Sequence, residues 1–294
     1  MGQYPPARQT IVHMSDPHLI AGGEPLYGVI PVVENLRAAL DQLAAMEMTP
    51  SAVVFTGDLT DLGEPDAYRR LRELVEPAVE ALGATLCWVP GNHDERDAMR
   101  VGLLDEAPSL APIDRVWNLD GLRLIGLDTS VPGFHHGELS HEQLAWLDAE
   151  LRQPAERGTV IALHHPPIPT PQPMFDLLEL RDQRLLADVL RGRDVRAILG
   201  GHLHYSAHGS FHGIPVSVSA ATCYTMNLAM PQRAVNGMTG GQSFQVLHVY
   251  DDTIVHSVVP LGEHTTFDTF DDAFITRMEE LTPEERIEAF SRKR

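Results

Sequence analysis

Cysteine is nearly absent: the 294 residues include only Cys87 and Cys223. Two cysteines make no disulfide framework, so the fold must rest on its core, and nothing calls for an oxidising compartment. Long apolar runs are also missing. No stretch of about 18 apolar residues exists, which excludes a transmembrane helix, and residues 1–10 lack the apolar segment of a secretory leader. The expected location is cytoplasmic. Basic charge is scarce, with 22 Lys and Arg against 41 Asp and Glu and a formal net charge of −19. No Lys/Arg cluster interrupts that field, so nucleic acid and anionic membranes are poor partners. The same field repels an anionic substrate unless bound cations attract it. Internal repeats and low-complexity linkers are absent too.

What is present is ordinary for a globular chain: 43% hydrophobic and 21% charged residues, enough to bury one large α/β domain or two small ones. Short apolar runs at 11–14, 52–56, 85–89, 122–127, 160–163, 197–199, 215–219, 244–250 and 253–259 predict strands. Longer amphipathic stretches at 32–46, 64–82, 95–104, 141–151, 177–191 and 283–291 predict helices. The alternation predicts α/β layers with a largely parallel sheet in the first half, and a second, more antiparallel or mixed sheet from the later strands. Pro/Gly-rich breaks at 22–25, 132–137, 166–173 and 231–241 read as loops, because strand-like runs resume after each. One domain over 1–262 is expected, followed by a charged tail, 263–294, with a terminal helix.

Polar clusters interrupt the apolar runs at their ends. The first run leads to Asp16 and His18, two residues apart; extended backbone of period two would point both to one side. The second leads to Gly57-Asp58, at the carboxyl edge of a sheet, where open α/β folds place their sites. The third leads to Gly91-Asn92-His93-Asp94, where an amide oxygen can serve a metal and glycine permits a tight turn. His164-His165 and Gly201-His202-Leu203-His204 follow two later runs, and His-x-His is the most metal-like local signal. Taken singly, each cluster is matched by a bland reading as turn, cap or surface residue. Together they supply two carboxylates, one amide and four imidazoles, the number that two cations with open positions require.

The ordered set Asp16-x-His18, Gly57-Asp58, Gly91-Asn92-His93-Asp94, His164 and Gly201-His202-x-His204 resembles the calcineurin-like metallophosphoesterases. The likeness is nearer to the class III cyclic nucleotide phosphodiesterases, through Leu103-Leu-Asp-Glu-Ala-Pro108, Asp128-Thr-Ser-Val-Pro132, His164-His-Pro-Pro-Ile-Pro169 and Ala221-Thr-Cys-Tyr224, and covers roughly residues 8–262. The resemblance implies a four-layer α/β/β/α sandwich, two mixed β-sheets flanked by helices. It implies that Asp16, His18 and His204 hold one metal, that Asn92, His164 and His202 hold a second, and that Asp58 bridges both. A homodimer is an expectation of the resemblance alone. Pro17 departs from the commoner polar residue at the x of Asp-x-His and removes one backbone N–H.

The implied function is hydrolysis of a 3′,5′-cyclic nucleotide such as cAMP to the 5′-nucleotide, by a hydroxide bridging the metals. Two divalent cations, two aspartates and that hydroxide leave one positive charge, which a phosphodiester monoanion neutralises. His93 is the expected catalytic group, stabilising the transition state or protonating the leaving oxygen, and Asp94 either orients it or caps a helix. Imidazole, carboxylate and amide donors suit Mn, Fe, Zn or Co. His165 either supports the site or packs. His135 and His136 read first as exposed loop residues and second as substrate contacts, and Tyr224 first as core. Within the class the rivals are 2′,3′-cyclic nucleotides and glycerophosphodiesters. Outside it the rival is a non-catalytic scaffold, which the complete donor set opposes.

Overall fold

The computed structural model describes residues 2–231, 233–262 and 264–293. The chain divides into two compact units, Ala7–Gly262 and a smaller one of Met1–Pro6 with Glu263–Arg294. Among its described residues the larger unit carries thirteen strands: β1 (Gln9–Met14), β2 (Ala52–Thr56), β3 (Thr85–Val89), β4 (Arg115–Leu119), β5 (Leu122–Leu127), β6 (Thr159–Leu163), β7 (Val195–Gly200), β8 (Ala207–Phe211), β9 (Ile214–Val218), β10 (Thr225–Met226), β11 (Gly237–Met238), β12 (Ser243–Val249) and β13 (Ile254–Pro260). Its α-helices are α1 (Val32–Ala45), α2 (Pro65–Ala81), α3 (Arg96–Leu103), α4 (His141–Glu150) and α5 (Gln183–Leu190).

Two mixed sheets result, ordered β13-β12-β1-β2-β3 and β4-β5-β6-β7-β9-β8, with a β10-β11 ribbon apart. Period two sorts their side chains into three cores. Ile11, Val54, Cys87, Val89, Leu122, Leu124, Val160, Ala162, Ala197 and Leu199 meet between the sheets. Val12, Val53, Phe55 and Trp88 turn outward to Leu36, Leu40, Leu71 and Val75 of α1 and α2. Ile125, Ile161, Leu163 and Ile198 turn outward to Leu144, Leu147, Leu186 and Leu190 of α4 and α5. Three cores between four layers are the expected sandwich, and strands buried on both faces explain why their sequences read as unbroken apolar runs.

The sheets do not divide the chain into halves, as the strand spacing suggested. β12 returns to pair antiparallel with β1, in register Ile11↔Leu247, and β13 adds as a hairpin. Phe244 and Val246 reach the helix-side core and Leu247 and Val249 the inter-sheet core, so β12 is a central strand. The second sheet is instead parallel from β5 through β6 and β7 to β9. The predicted helix at 177–191 begins only at Gln183, after a 3₁₀ turn over Pro173–Leu177 and an isolated bridge at Leu180. In the smaller unit, α6 (Asp272–Glu280) is an element not anticipated. α7 (Pro283–Arg286) starts at a capping box of Thr282 and Glu285 and runs into a π-turn over Ile287–Ser291. No helix among the described residues is long and apolar enough to cross a membrane.

Candidate metal centre

β1, β2 and β3 of one sheet and β6 and β7 of the other end at the same edge, and the chain leaves each end in a polar residue. Asp16, His18, Asp58, His164, His202 and His204 are all buried, and Asn92 is half-buried. Their donor atoms converge. His18 Nε2 lies 3.2 Å from His204 Nε2, and His204 Nε2 lies 3.5 Å from Asp16 Oδ1. His164 Nε2 lies 3.0 Å from Asn92 Oδ1 and 3.2 Å from His202 Nδ1. One atom, Asp58 Oδ2, joins the two groups, at 3.4 Å from His18 Nε2 and 3.3 Å from His164 Nε2.

The backbone reason for this convergence differs from the sequence reading. Asp16 and His18 do not continue the strand. Both adopt left-handed backbone, with φ of 52° and 47°, and so do Asp58 (47°), His202 (68°) and His204 (57°). Each costs strain that the surroundings must hold. Hydrogen bonds from Asp16 N to the Gly57 carbonyl (3.1 Å) and from His18 N to the Asp58 carbonyl (3.0 Å) hold the first pair. These bonds flank Pro17, so its missing N–H interrupts nothing. Glycines make the approach close enough. A Cβ on Gly57 would lie 2.5 Å from His164 Nδ1, one on Gly91 would collide with the Asp58 backbone, and one on Gly201 with Ser15 Oγ.

In three of the four imidazoles the second ring nitrogen fixes the tautomer, whereas His202 faces His164 through Nδ1 and its Nε2 is buried without a partner. His164 Nδ1 donates to the Thr56 carbonyl (2.8 Å), His204 Nδ1 to the Tyr224 carbonyl (3.1 Å) and His18 Nδ1 to Asp61 Oδ1 (2.9 Å). Carbonyls only accept, so the protons sit on Nδ1 and bare Nε2 lone pairs face one another and the carboxylates. Lone pairs 3.2 Å apart repel unless positive charge lies between them. The residues therefore fit two cations, with Asp58 common to both groups.

The electrostatics point the same way. Burial pulls His18 and His164 down, yet Asp58, joined by Asp61 for His18, outweighs it and pushes them up to about 10 and about 9. Burial and then His18 push His204 down to about 3. Burial raises Asp16 to about 6, reinforced by Asp58, whereas His164 and His18 hold Asp58 well below the carboxylate range against its own burial. The cluster demands positive charge, whether it comes as protons or as cations.

His93 lies beside this floor. Its Nδ1 donates to the Asp61 carbonyl (2.8 Å), which leaves Nε2 as the free ring nitrogen, and its ring is 4.8 Å from that of His18. Asp94 does not orient it. That carboxylate accepts from the backbone N–H of Leu59 (3.0 Å), Thr60 (3.2 Å) and Gly91 (2.8 Å) and from the Tyr68 hydroxyl (2.9 Å). It ties the Asp58 loop to the Asn92 loop, and the N-cap of α3 is Glu95. The residue that touches both His18 and His93 is Asp61. A second acid three places after Asp58 was its only signal in the sequence.

Around the floor runs a cavity of about 250 Å³, lined also by His135, Met174, Phe175, Leu178, Tyr224 and Met226. His135 does reach the site: its Nδ1 is 3.0 Å from Asn92 Nδ2, and its ring is 5.0 Å from that of His93. His136 pairs instead with Glu138 (3.0 Å). Tyr224 does both: half-buried, it packs against the small core of Leu26, Ile30 and Cys223 and also lines the wall, its ring 4.5 Å from that of His204. His165 spends both ring nitrogens, on the Thr129 hydroxyl (2.8 Å) and the His135 carbonyl (3.2 Å).

Comparison with known proteins agrees with this geometry. A family model of calcineurin-like phosphoesterases matches residues 9–206. A cAMP/cGMP dual specificity phosphodiesterase of Mycobacterium tuberculosis is 55% identical over 268 residues, 91% of this chain and 84% of that protein. A glycerophosphodiester phosphodiesterase of Enterobacter lignolyticus is 30% identical over 219 residues, 73% of this chain and 77% of that one. Among solved structures, a dimetal phosphatase from Danio rerio superposes with a TM-score of 0.63 at 19% identity, over 86% of this chain and 96% of that one.

Proposed function

The chain belongs to the calcineurin-like phosphoesterase family, and from that premise we propose that it is a two-metal phosphodiesterase that opens 3′,5′-cyclic nucleotides to 5′-nucleotides. The observation that carries the reading is the pair of donor groups sharing Asp58 Oδ2 at the floor of an open cavity. The identity of 55% to a cAMP/cGMP phosphodiesterase supports the choice of substrate.

In this reading Asp16, His18 and His204 hold one cation, Asn92, His164 and His202 the other, and Asp58 both. Such a pair supplies a nucleophile from water at neutral pH and neutralises the charge on the phosphoryl group. The metals belong to the set Mn, Fe, Zn and Co that these donors suit. The chain's own part is orientation and proton handling. Asp61 and the carbonyls of Thr56 and Tyr224 keep the imidazole protons on Nδ1. His93, anchored through Nδ1, leaves Nε2 as the atom from which, as the imidazolium, it would give a proton to the leaving 3′-oxygen. Asp94 acts through the two loops it ties together, not on the substrate. Met174, Phe175, Leu178 and Met226 give the nucleobase an apolar wall. We assign the reaction to the cytoplasm and to the larger unit, and give the charged tail no part in it.

A second reading, a phosphodiesterase of broader range, is favoured by the relative that acts on glycerophosphodiesters. The decisive experiment is a turnover panel on enzyme of measured metal content: 3′,5′-cAMP, 3′,5′-cGMP, 2′,3′-cAMP, glycerophosphocholine and an aryl phosphodiester. The proposal expects the two 3′,5′-cyclic nucleotides to lead. If they trail the glycerophosphodiester by orders of magnitude, the second reading replaces the first.

A further inference from the structure

His165 is wholly buried next to His164, and its ring hydrogen bonds lead away from the two donor groups and into a loop. A carbonyl can only accept, so His165 donates from Nε2 to the His135 carbonyl (3.2 Å), and its Nδ1 accepts from the Thr129 hydroxyl (2.8 Å). That hydroxyl also receives the His165 backbone N–H (3.4 Å). The loop lies against the ring itself, because a Cβ on Gly137 would come within 2.6 Å of His165 Cγ. At the loop's other end Arg96 donates to Asp128 (2.8 Å) and to the Ser130 carbonyl (2.8 Å).

Between these anchors the side chain of His135 is exposed, yet it bonds to a residue of the floor. Asn92 Nδ2 lies 3.0 Å from His135 Nδ1 while Asn92 Oδ1 lies 3.0 Å from His164 Nε2. A carboxamide can turn over and exchange its two ends. Only the oxygen can serve a cation, so whatever receives the nitrogen decides which end faces the centre. His135 receives it, and His165 holds the backbone of His135.

We propose that His165 is a positioning residue: through the His135 carbonyl it fixes the imidazole that keeps the Asn92 amide oxygen turned toward the second cation. This rests on the reading of Asn92 as a ligand. The neutral ring does two jobs, as a donor to the loop and an acceptor from Thr129, and no apolar residue of its size does either.

The test is a double-mutant cycle on metal-loaded protein, with Mn²⁺ affinity measured alongside turnover. His165→Leu and His135→Ala are each expected to weaken binding of one of two Mn²⁺ ions and to lower kcat, both by about 10–100-fold, the range for lost supporting contacts. In the His135→Ala background His165→Leu should add less than about twofold, because its route is already cut. His165→Gln, which keeps a donor near the Nε2 position, should recover most of the loss. Thr129→Val, which removes one hydroxyl, repeats the cycle with less disturbance if the leucine variant does not fold. Additive losses in the double variants would overturn the proposal, as would a loss of both ions together. If no phosphodiester is turned over by the wild type, the functional reading fails, while Mn²⁺ affinity still decides this one.

Discussion

Beneath the cavity, six buried histidines and aspartates sit at strand ends, and the two sheets are linked there by the His202 N–H donating to the Asp16 carboxylate (3.1 Å) and by His164 Nδ1 donating to the Thr56 carbonyl (2.8 Å). Around its mouth, Met174, Phe175, Leu178, Tyr224 and Met226 come from a 3₁₀ turn and a short ribbon, and only Phe175 among them is fully covered. The floor is strained and specific: five of its residues hold positive φ, and three of its four imidazoles have one nitrogen assigned by a partner. The rim is apolar and adaptable, and thioether side chains accept varied shapes. On the proposed function the floor would fix which reaction is run, and the rim which molecule is admitted. Substitutions should therefore separate kcat from KM according to which region they touch.

The largest effect belongs to Asp58, shared by both donor groups. Asp58→Ala is expected to lower kcat/KM by about 10³-fold or more, the upper range for one preorganised electrostatic group, with metal content falling as well. An active Asp58→Ala enzyme with two ions bound would break the division at its root. Gly91→Ala tests the same floor without removing a donor. Its methyl group would collide with Asp58, and a displacement of about 1 Å costs about 10²-fold in rate. Gly240→Ala is the control beside the rim. Nothing lies within 4 Å of its Cβ position, so turnover and urea midpoint should stay as in the wild type.

Below the floor lies a buried polar layer. His13 Nε2 meets the Thr56 hydroxyl (2.8 Å), which donates to Ser15 Oγ (2.8 Å), and Ser15 donates back to the Thr56 carbonyl (3.1 Å). That carbonyl is the one that orients His164. Burial first, and then the neighbouring His256, push His13 down to about 3 from the ordinary 6.5. The folded state holds this imidazole neutral and the unfolded chain protonates it. Its contribution to stability is therefore whole above pH 6.5 and is lost as the pH falls from 6.5 toward 3. Between pH 6.5 and 5 the loss is about 2 kcal/mol. Urea unfolding at the two pH values should show that slope in the wild type, with His13→Gln flatter by the same amount. Equal slopes would separate the polar layer from the floor's stability.

The floor was legible in the sequence because each donor follows an apolar run that could only be a buried strand. Asp58, Asn92 and His164 needed no more than that. The αL turns at Asp16, His18, His202 and His204 were not legible. Period two gave a shared side for the wrong reason, and only contacts from another strand, such as Gly57 to Asp16 N, hold such backbone. Asp61, Thr129 and His13 act through hydrogen bonds to residues 32, 36 and 43 places away in sequence, at His93, His165 and Thr56, a relation that no local pattern carries. The rim was least legible, since Met174 and Met226 read as any other apolar residue until the fold sets both on one cavity.

The smallest effect is the one that isolates the rim. Met226 is half-buried at the end of β10, on the wall of the cavity and outside both donor groups. Shortening it in Met226→Ala leaves every side-chain hydrogen bond of the floor in place and removes apolar contact alone, some with the core it packs on and the rest with the proposed nucleobase. A few methylene-sized groups in an apolar pocket are worth roughly 1–3 kcal/mol, so KM for 3′,5′-cAMP should rise about tenfold. The kcat at saturation should hold, because the lost contact is the same in ground and transition states. An aryl phosphodiester without a purine supplies the contrast: it reaches the same floor, and its kcat/KM should move less than about twofold if the wall serves the base. A parallel fall in kcat for both substrates would mean that the rim is part of the floor after all, and that chemistry and selection are not divided between them.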